Sequence, residues 1–342
     1  MRRAPAGRRA SAAAALALAL ALPGCGTGSR PPWPGSAATH PGHGPGHLAV
    51  AADTAVLTLN LLIAERDHRL IAVTPRGQVV WRRRQADPGA VSVTRTGRTL
   101  VVAEPRADVV ALRRVDSGQL SFVFGQRHRP GSGSGSLDDP QTAFETSDGA
   151  IAIADSGNCR VLLVEPGAHR AAPILGSGCA AARRGPGGGV PVAAVPAAGG
   201  SLLVTERAPA RVELVSRAGA VLSSTPLRGL ATPGVARLTP RGLIVVTDRA
   251  RPGRVEELAK GSGAVRWRYA PHGASGELDD PAMALALADG DVLVVDSGND
   301  RVIVIDPRDD AIVWQYGHTG VAGRTPGYLD RPQSATLVPV AR

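Results

Sequence analysis

The residues of this 342-residue chain that could do chemistry occur in recurring sets. His128 precedes Asp138 and Asp139, His272 precedes Asp279 and Asp280, and His318 precedes Asp330. Each acid lies in a Gly-x-Leu-Asp-x-Pro motif, at residues 135–140, 276–281 and 327–332. Imidazoles and carboxylates brought together could ligate a divalent cation such as calcium, or hold a cationic ligand. The motif also has a plainer reading. An Asp ahead of x-Pro caps backbone N–H groups in a turn, and the Pro starts the next strand. Recurrence favours this second reading, because a folding device is needed in every repeat and a reactive centre is not. The Asp-Ser-Gly-Asn turns at 155–158 and 296–299 are weighed in the same way. They look like calcium loops but lack the bidentate Glu and fixed spacing of an EF-hand.

The elements that must position these residues are legible in residues 276–335. Four short apolar runs, Met283 to Leu287, Val292 to Val295, Arg301 to Ile305 and Ile312 to Tyr316, are separated by turns rich in Asp, Gly and Asn. Such runs suit a pleated surface and such turns tolerate positive φ, so the stretch predicts a four-stranded meander. One sheet of this kind has two apolar faces and needs copies of itself. Aligning on the acid that ends each second strand gives Glu65, Glu104, Asp155, Glu206, Asp248 and Asp296, spaced by 39, 51, 51, 42 and 48 residues. That period is one propeller blade per repeat. An arginine follows most of these acids (Arg69, Arg160, Arg211, Arg254, Arg301). A large apolar residue marks each fourth strand: Trp81, Phe122, Ile174, Val221, Trp267 and Trp314. The expectation is an all-β, six-bladed propeller over residues 48–342, with Ser334 to Val340 completing the blade that begins near Leu61. This closure would remove two exposed sheet edges.

Ahead of the propeller, Arg2, Arg3, Arg8 and Arg9 form a positive segment, and Ala10 to Leu22 an apolar one too short to span a membrane. Residues 1–24 therefore read as an export signal. Leu22-Pro23-Gly24-Cys25 looks like a lipobox, with a small residue before the thiol, so Cys25 is the expected lipidation site and membrane anchor. Residues 25–47 are rich in Gly, Pro and His and read as a solvated tether; His40, His43 and His47 have no fixed geometry for a metal.

The formal charge of +10 falls to +6 once the four signal arginines are set apart, and all but one of the 39 basic residues are arginine. Only ten residues are Phe, Trp or Tyr, and the arginines recur blade by blade rather than clustering with aromatics. This excludes a nucleic-acid groove as the reading of the charge and leaves solvated surface and inter-blade pairing. Besides Cys25 there are two cysteines, Cys159 and Cys179. An even pair in an exported protein predicts a disulfide, and the region offers too few further ligands for zinc.

The pattern GxLDxP…DG…VxDSGNxRVxVxD…IVWQYG resembles the NHL-type and PQQ-like six-bladed propellers across about residues 60–340. It is similar in particular to secreted propeller lipoproteins of actinobacterial type with repeated YGH…PGYLxxP loops. The resemblance implies a fold and leaves activity open, since propellers serve as binding modules, lyases, lactonases and sulfotransferases. The sequence carries no Gly-x-Ser-x-Gly elbow, Walker loop, His-Glu-x-x-His or dinucleotide fingerprint. It also lacks the adjacent-cysteine pair that goes with quinoprotein dehydrogenases, so a PQQ cofactor is not implied and none is expected. The sequence thus predicts a lipid-anchored, extracytoplasmic, monomeric binding or scaffolding module for a protein, peptide or glycan. The competing expectation is a propeller hydrolase, lyase or arylsulfotransferase-like enzyme that uses the His/Asp rim of the channel.

Overall fold

The structure, a computed structural model, describes residues 60–338 apart from 67, 86–87, 180–188 and 274–275. Cys25, the export signal, the tether and the final residues of the expected closing strand, including Val340, lie outside the described residues. Twenty-four strands form six antiparallel sheets of four strands each, so the blade count read from the acid spacing holds. Blade 6 shows how closely composition sets the strands. The runs read from sequence become Pro281–Ala286, Val292–Asp296, Arg301–Asp306 and Ala311–Gly317, in register as a meander. β-Branched residues fill its two central strands, which are buried on both faces.

Blade 1 is built from both ends of the described chain. Pro332–Val338 pairs antiparallel with Asn60–Glu65, with Leu337 opposite Leu61 and Ala335 opposite Ile63. It is the innermost strand, as expected for the closure, and begins at Pro332 rather than Ser334. Apolar residues of adjacent blades interleave: Leu61 and Ile63 share one cluster with Met283, Val295, Val302 and Trp314 of blade 6. The Trp314 indole N–H donates to the Pro75 carbonyl at 2.8 Å, tying blade 6 to blade 1.

The six inner strands are Pro332–Val338, Val91–Val93, Pro140–Glu145, Pro191–Pro196, Arg237–Leu238 with its lead-in from Pro233, and Pro281–Ala286. Contacts run between neighbours right round the channel. Val91 N–H donates to Ser334 Oγ, Ser92 Oγ–H to the Ala143 carbonyl, Ala194 N–H to Thr142 Oγ1 and Ala236 N–H to Thr205 Oγ1. Val235 bridges Met283, and Ala335 N–H meets the Met283 sulfur. Without these partners the inner strands would hold buried, unpaired backbone groups facing the next blade.

The aligned acids explain why the repeat keeps them. Asp155 and Asp296 are fully buried, and each pairs with the arginine opening the next strand, Arg160 or Arg301, at 2.7 Å. Glu65–Arg69, Glu206–Arg211 and Asp248–Arg254 repeat the arrangement. Blade 2 has Val109 where the others have arginine, and Glu104 instead accepts from Arg127 at 2.6 Å and Gln85 at 3.0 Å. Each acid reaches the preceding loop as well: N–H groups of Asp138, Asp279 and Asp330 donate to Asp155, Asp296 and Glu65. The arginines hold the same loops by their carbonyls, Arg160 at Ser132, Gly133 and Ser136, and Arg301 at Glu277. A charged pair taken out of water needs every remaining donor and acceptor used, and here the loop backbone supplies them. Cys159 and Cys179 form a disulfide, with Cα atoms 4.9 Å apart, closing a segment that spans the outer strand of blade 3.

Candidate functional site

The Gly-x-Leu-Asp-x-Pro loops run from the outer strand of one blade to the inner strand of the next, and their parts have separable structural jobs. Leu137, Leu278 and Leu329 are fully buried plugs between blades. The first acid gives its N–H to the buried carboxylate described above. The next residue, Asp139, Asp280 or Arg331, is left-handed, with φ of 51°, 49° and 47°. Its N–H donates to Asp108 Oδ1, the Ala250 carbonyl or Asp300 Oδ1. The Pro then opens the inner strand. The Asp-Ser-Gly-Asn turn is the other half of the device. A Cβ on Gly157 would lie 2.5 Å from the Asp138 carboxyl carbon, and one on Gly298 would overlap Asp279 in the same way. Asn158 and Asn299 donate to the buried Asp155 and Asp296.

Three carboxylates of these loops also have partners. Asp279 pairs with Arg251 at 2.9 Å, and Asp280 accepts two N–H groups of Arg249 at 2.8 and 3.2 Å. Asp139 accepts from Gln141 at 2.6 Å, and partial burial raises its carboxyl above the ordinary carboxylate range. His128 is exposed and in hydrogen-bond range of the Arg106 carbonyl, His272 is exposed, and His318 stacks on Tyr328 with ring centres 4.1 Å apart. Among the described residues there is no group of three or more His, Cys, Asp or Glu side chains that could hold a metal ion.

The central channel offers a different set of groups. A cavity of about 330 Å³ at its mouth is lined by the inner strands of all six blades. Val91, Val235, Met283 and Ala335 give it apolar walls, and Gln141, Gln333 and Thr232 give it neutral polar groups. Three arginines, Arg207, Arg237 and Arg249, face it together with one acid, Asp280, which Arg249 engages. Arg237 lies over the Phe144 ring at 5.1 Å, and its Nε is sealed from solvent without an acceptor. Burial lowers its pKa to about 10, which leaves the guanidinium charged at neutral pH.

These arginines are absent from the candidates that sequence motifs point to, because no motif marks them. The residue after the aligned acid is Arg66, Pro105, Ser156, Arg207, Arg249 and Ser297 in blades 1 to 6, so an arginine there is common and does not by itself point to the channel. Counted from the proline that leads into it, the fifth residue of the inner segment is Thr336, Ser92, Phe144, Val195 or Leu285 in five blades and Arg237 in the other. In each case it lies opposite the residue three before the aligned acid. The one signal in the sequence is Arg237, the single charge among these six equivalent positions.

The family model described as outer membrane protein assembly factor BamB, PQQ_2, matches residues 208–329, which span the outer part of blade 4, blade 5 and blade 6. No curated protein matches the chain in sequence. Among solved structures, it is similar to a protein of unknown function from Bacteroides caccae, with a TM-score of 0.54 and 17% identity, covering 75% of this chain and 93% of that one. It is also similar to virginiamycin B lyase from Staphylococcus aureus, with a TM-score of 0.51, 12% identity and coverage of 77% and 85%. A putative 6-phosphogluconolactonase from Bacteroides uniformis gives a TM-score of 0.51 at 15% identity, with coverage of 81% and 84%. Identities this low establish architecture and leave activity open. The chain is a six-bladed β-propeller, similar to the PQQ_2 model over residues 208–329, whose blades 4 and 5 place arginines in the central channel.

Proposed function

We propose that this protein is an extracytoplasmic, lipid-anchored, monomeric propeller that binds a peptide, glycan or protein ligand at the mouth of its central channel. The channel cavity carries the reading. It joins apolar walls to polar groups and to two arginines, Arg207 and Arg237, whose side chains among the described residues enter no ion pair or hydrogen bond of the blades. Concave sites of this mixed lining are where ligands settle, whereas the His/Asp loops spend their backbone N–H groups on turns and pair Asp279 and Asp280 with arginines. The signal-like segment ahead of Cys25 and the tether of residues 25–47 support placement outside the cytoplasm, held to the membrane by lipid. Among the described residues no helix is long and apolar enough to cross a membrane.

The test is a thermal-shift screen of the full-length protein in detergent micelles against calcium chloride, muropeptides and short peptides. Stabilisation by a peptide or glycan probe is expected, and Gln141→Trp, which plugs the cavity, abolishes it. A shift that survives Gln141→Trp would move the site away from the channel. Stabilisation by calcium alone would overturn the binding-module reading in favour of a metal-bearing enzyme at the His/Asp rim.

A further inference from the structure

The channel arginines narrow the ligand's chemistry, an inference that rests on the channel being the binding site. Of the six equivalent inner-strand positions, the one occupied by Arg237 alone carries a charge. A cation there is costly without an anion, because its neighbours are Phe144 and Val235 rather than a carboxylate. Among the described residues neither Arg237 nor Arg207 makes a side-chain ion pair or hydrogen bond, in contrast with the clamp arginines Arg160 and Arg301. Arg249 is already engaged by Asp280.

The geometry points to the channel mouth as a receptor for the carboxylate of a small organic ligand, with Arg237 as its principal donor and Arg207 as a second cation at the rim. A guanidinium lying over an aromatic ring is held in orientation by the ring, and its outward N–H groups match the two oxygens of a carboxylate. The apolar walls, Val91, Val235, Met283 and Ala335, cover the ligand's body. An inorganic oxyanion would leave those walls unused, and a volume of about 330 Å³ admits a dipeptide or a single acidic sugar but no long polymer. A peptide C-terminus and a uronic or muramic carboxylate both satisfy this chemistry.

The test uses the full-length protein in detergent micelles and isothermal titration with three probes: N-acetyl-alanyl-alanine, its C-terminal amide, and inorganic phosphate. The acid binds, and the amide binds about ten- to a hundredfold more weakly, the range for loss of hydrogen bonds to a charged group. Phosphate binds more weakly than the acid. Arg237→Met removes the preference for acid over amide and leaves the melting temperature unlowered, because no ion pair is broken. Arg207→Met reduces the preference in part, and exposed Arg228→Gln changes nothing. Should Arg237→Met fail to fold, Arg207→Met makes the same comparison at an exposed side chain. Equal binding of acid and amide, phosphate binding as tight as the acid, no binding of the acid, or a preference that survives both Met variants overturns the carboxylate assignment. Where that happens while a muropeptide or peptide shift is still abolished by Gln141→Trp, the channel stands as the site and only the ligand chemistry falls. If acid binding is indifferent to Gln141→Trp, it is the channel reading that fails.

Discussion

Arg301→Leu tests the physical account of the blade. Arg301 is 1% exposed and pairs with Asp296, which is fully buried, at 2.7 Å. It also donates to the Glu277 carbonyl and to Thr319 Oγ1, each at 3.0 Å. Leucine replaces the stem but leaves Asp296 as a buried carboxylate without its cation. Breaking a buried pair from one side costs about 3–5 kcal/mol, against about 1 kcal/mol for an exposed pair. The Glu277 carbonyl keeps its hydrogen bond from Asn299, so loop desolvation adds little. For a domain of this size the melting temperature should fall on the order of 10 °C. The deficit also depends on pH with a definite sign. Burial already holds the Asp296 carboxyl above the ordinary carboxylate range despite Arg301. The folded state therefore binds this proton more readily than the unfolded state, and the group's contribution to stability declines as pH rises between the two values. Removing Arg301 raises the folded value further. The deficit is then largest near neutrality and shrinks as the pH falls toward about 5. Asp296→Asn in the same chain should restore part of the loss at pH 7. Melts followed by tryptophan fluorescence at several pH values give the answer. A variant within about 1 °C of the parent at pH 7, or a deficit that grows on acidification, would refute the clamp account.

Deleting residues 332–342 removes the strand that joins the two ends of the chain, six of whose residues pair with Asn60–Glu65. It should cost several kcal/mol and promote aggregation through the opened edge, whereas deleting residues 26–46 should leave the melt unchanged; equal melts for the two would contradict the closure. Cys25→Ser should move the protein from the detergent phase to the aqueous phase on phase partitioning, and unchanged retention would count against lipidation. Mass spectrometry of unreduced protein should find the Cys159–Cys179 peptides linked. Replacing both by Ala should cost about 3 kcal/mol by the chain-entropy model, read by denaturant titration; two freely alkylated thiols in the native protein would end that account.

The sequence by itself determined the repeat and most of the scaffold. Period-2 apolar runs between Asp-Gly and Asp-Ser-Gly-Asn turns can form only short strands, and acids at regular spacing followed by Arg69, Arg160, Arg211, Arg254 and Arg301 count the blades. The plain reading of Leu-Asp-x-Pro as a turn was legible in part. The proline opens the strand, but the loop Asp does not cap N–H groups with its carboxylate; its own N–H is instead capped by a buried acid distant in sequence, Asp155, Asp296 or Glu65. What the tertiary structure decided is which side chains meet in the channel. Arg207, Arg237 and Arg249 are 30 and 12 positions apart in the chain, the first two on different strands and the third just past the end of another. They become neighbours of Phe144, Met283 and Gln333 only when six blades close. The acid that seems available beside them, Asp280, is taken by Arg249, and the histidines that stand next to acids in sequence lie on exposed or stacked positions instead. Spacing along a strand sets which face a residue occupies, but a channel is made by the inner edges of all blades at once. Its lining therefore depends on ring closure, which no single repeat encodes.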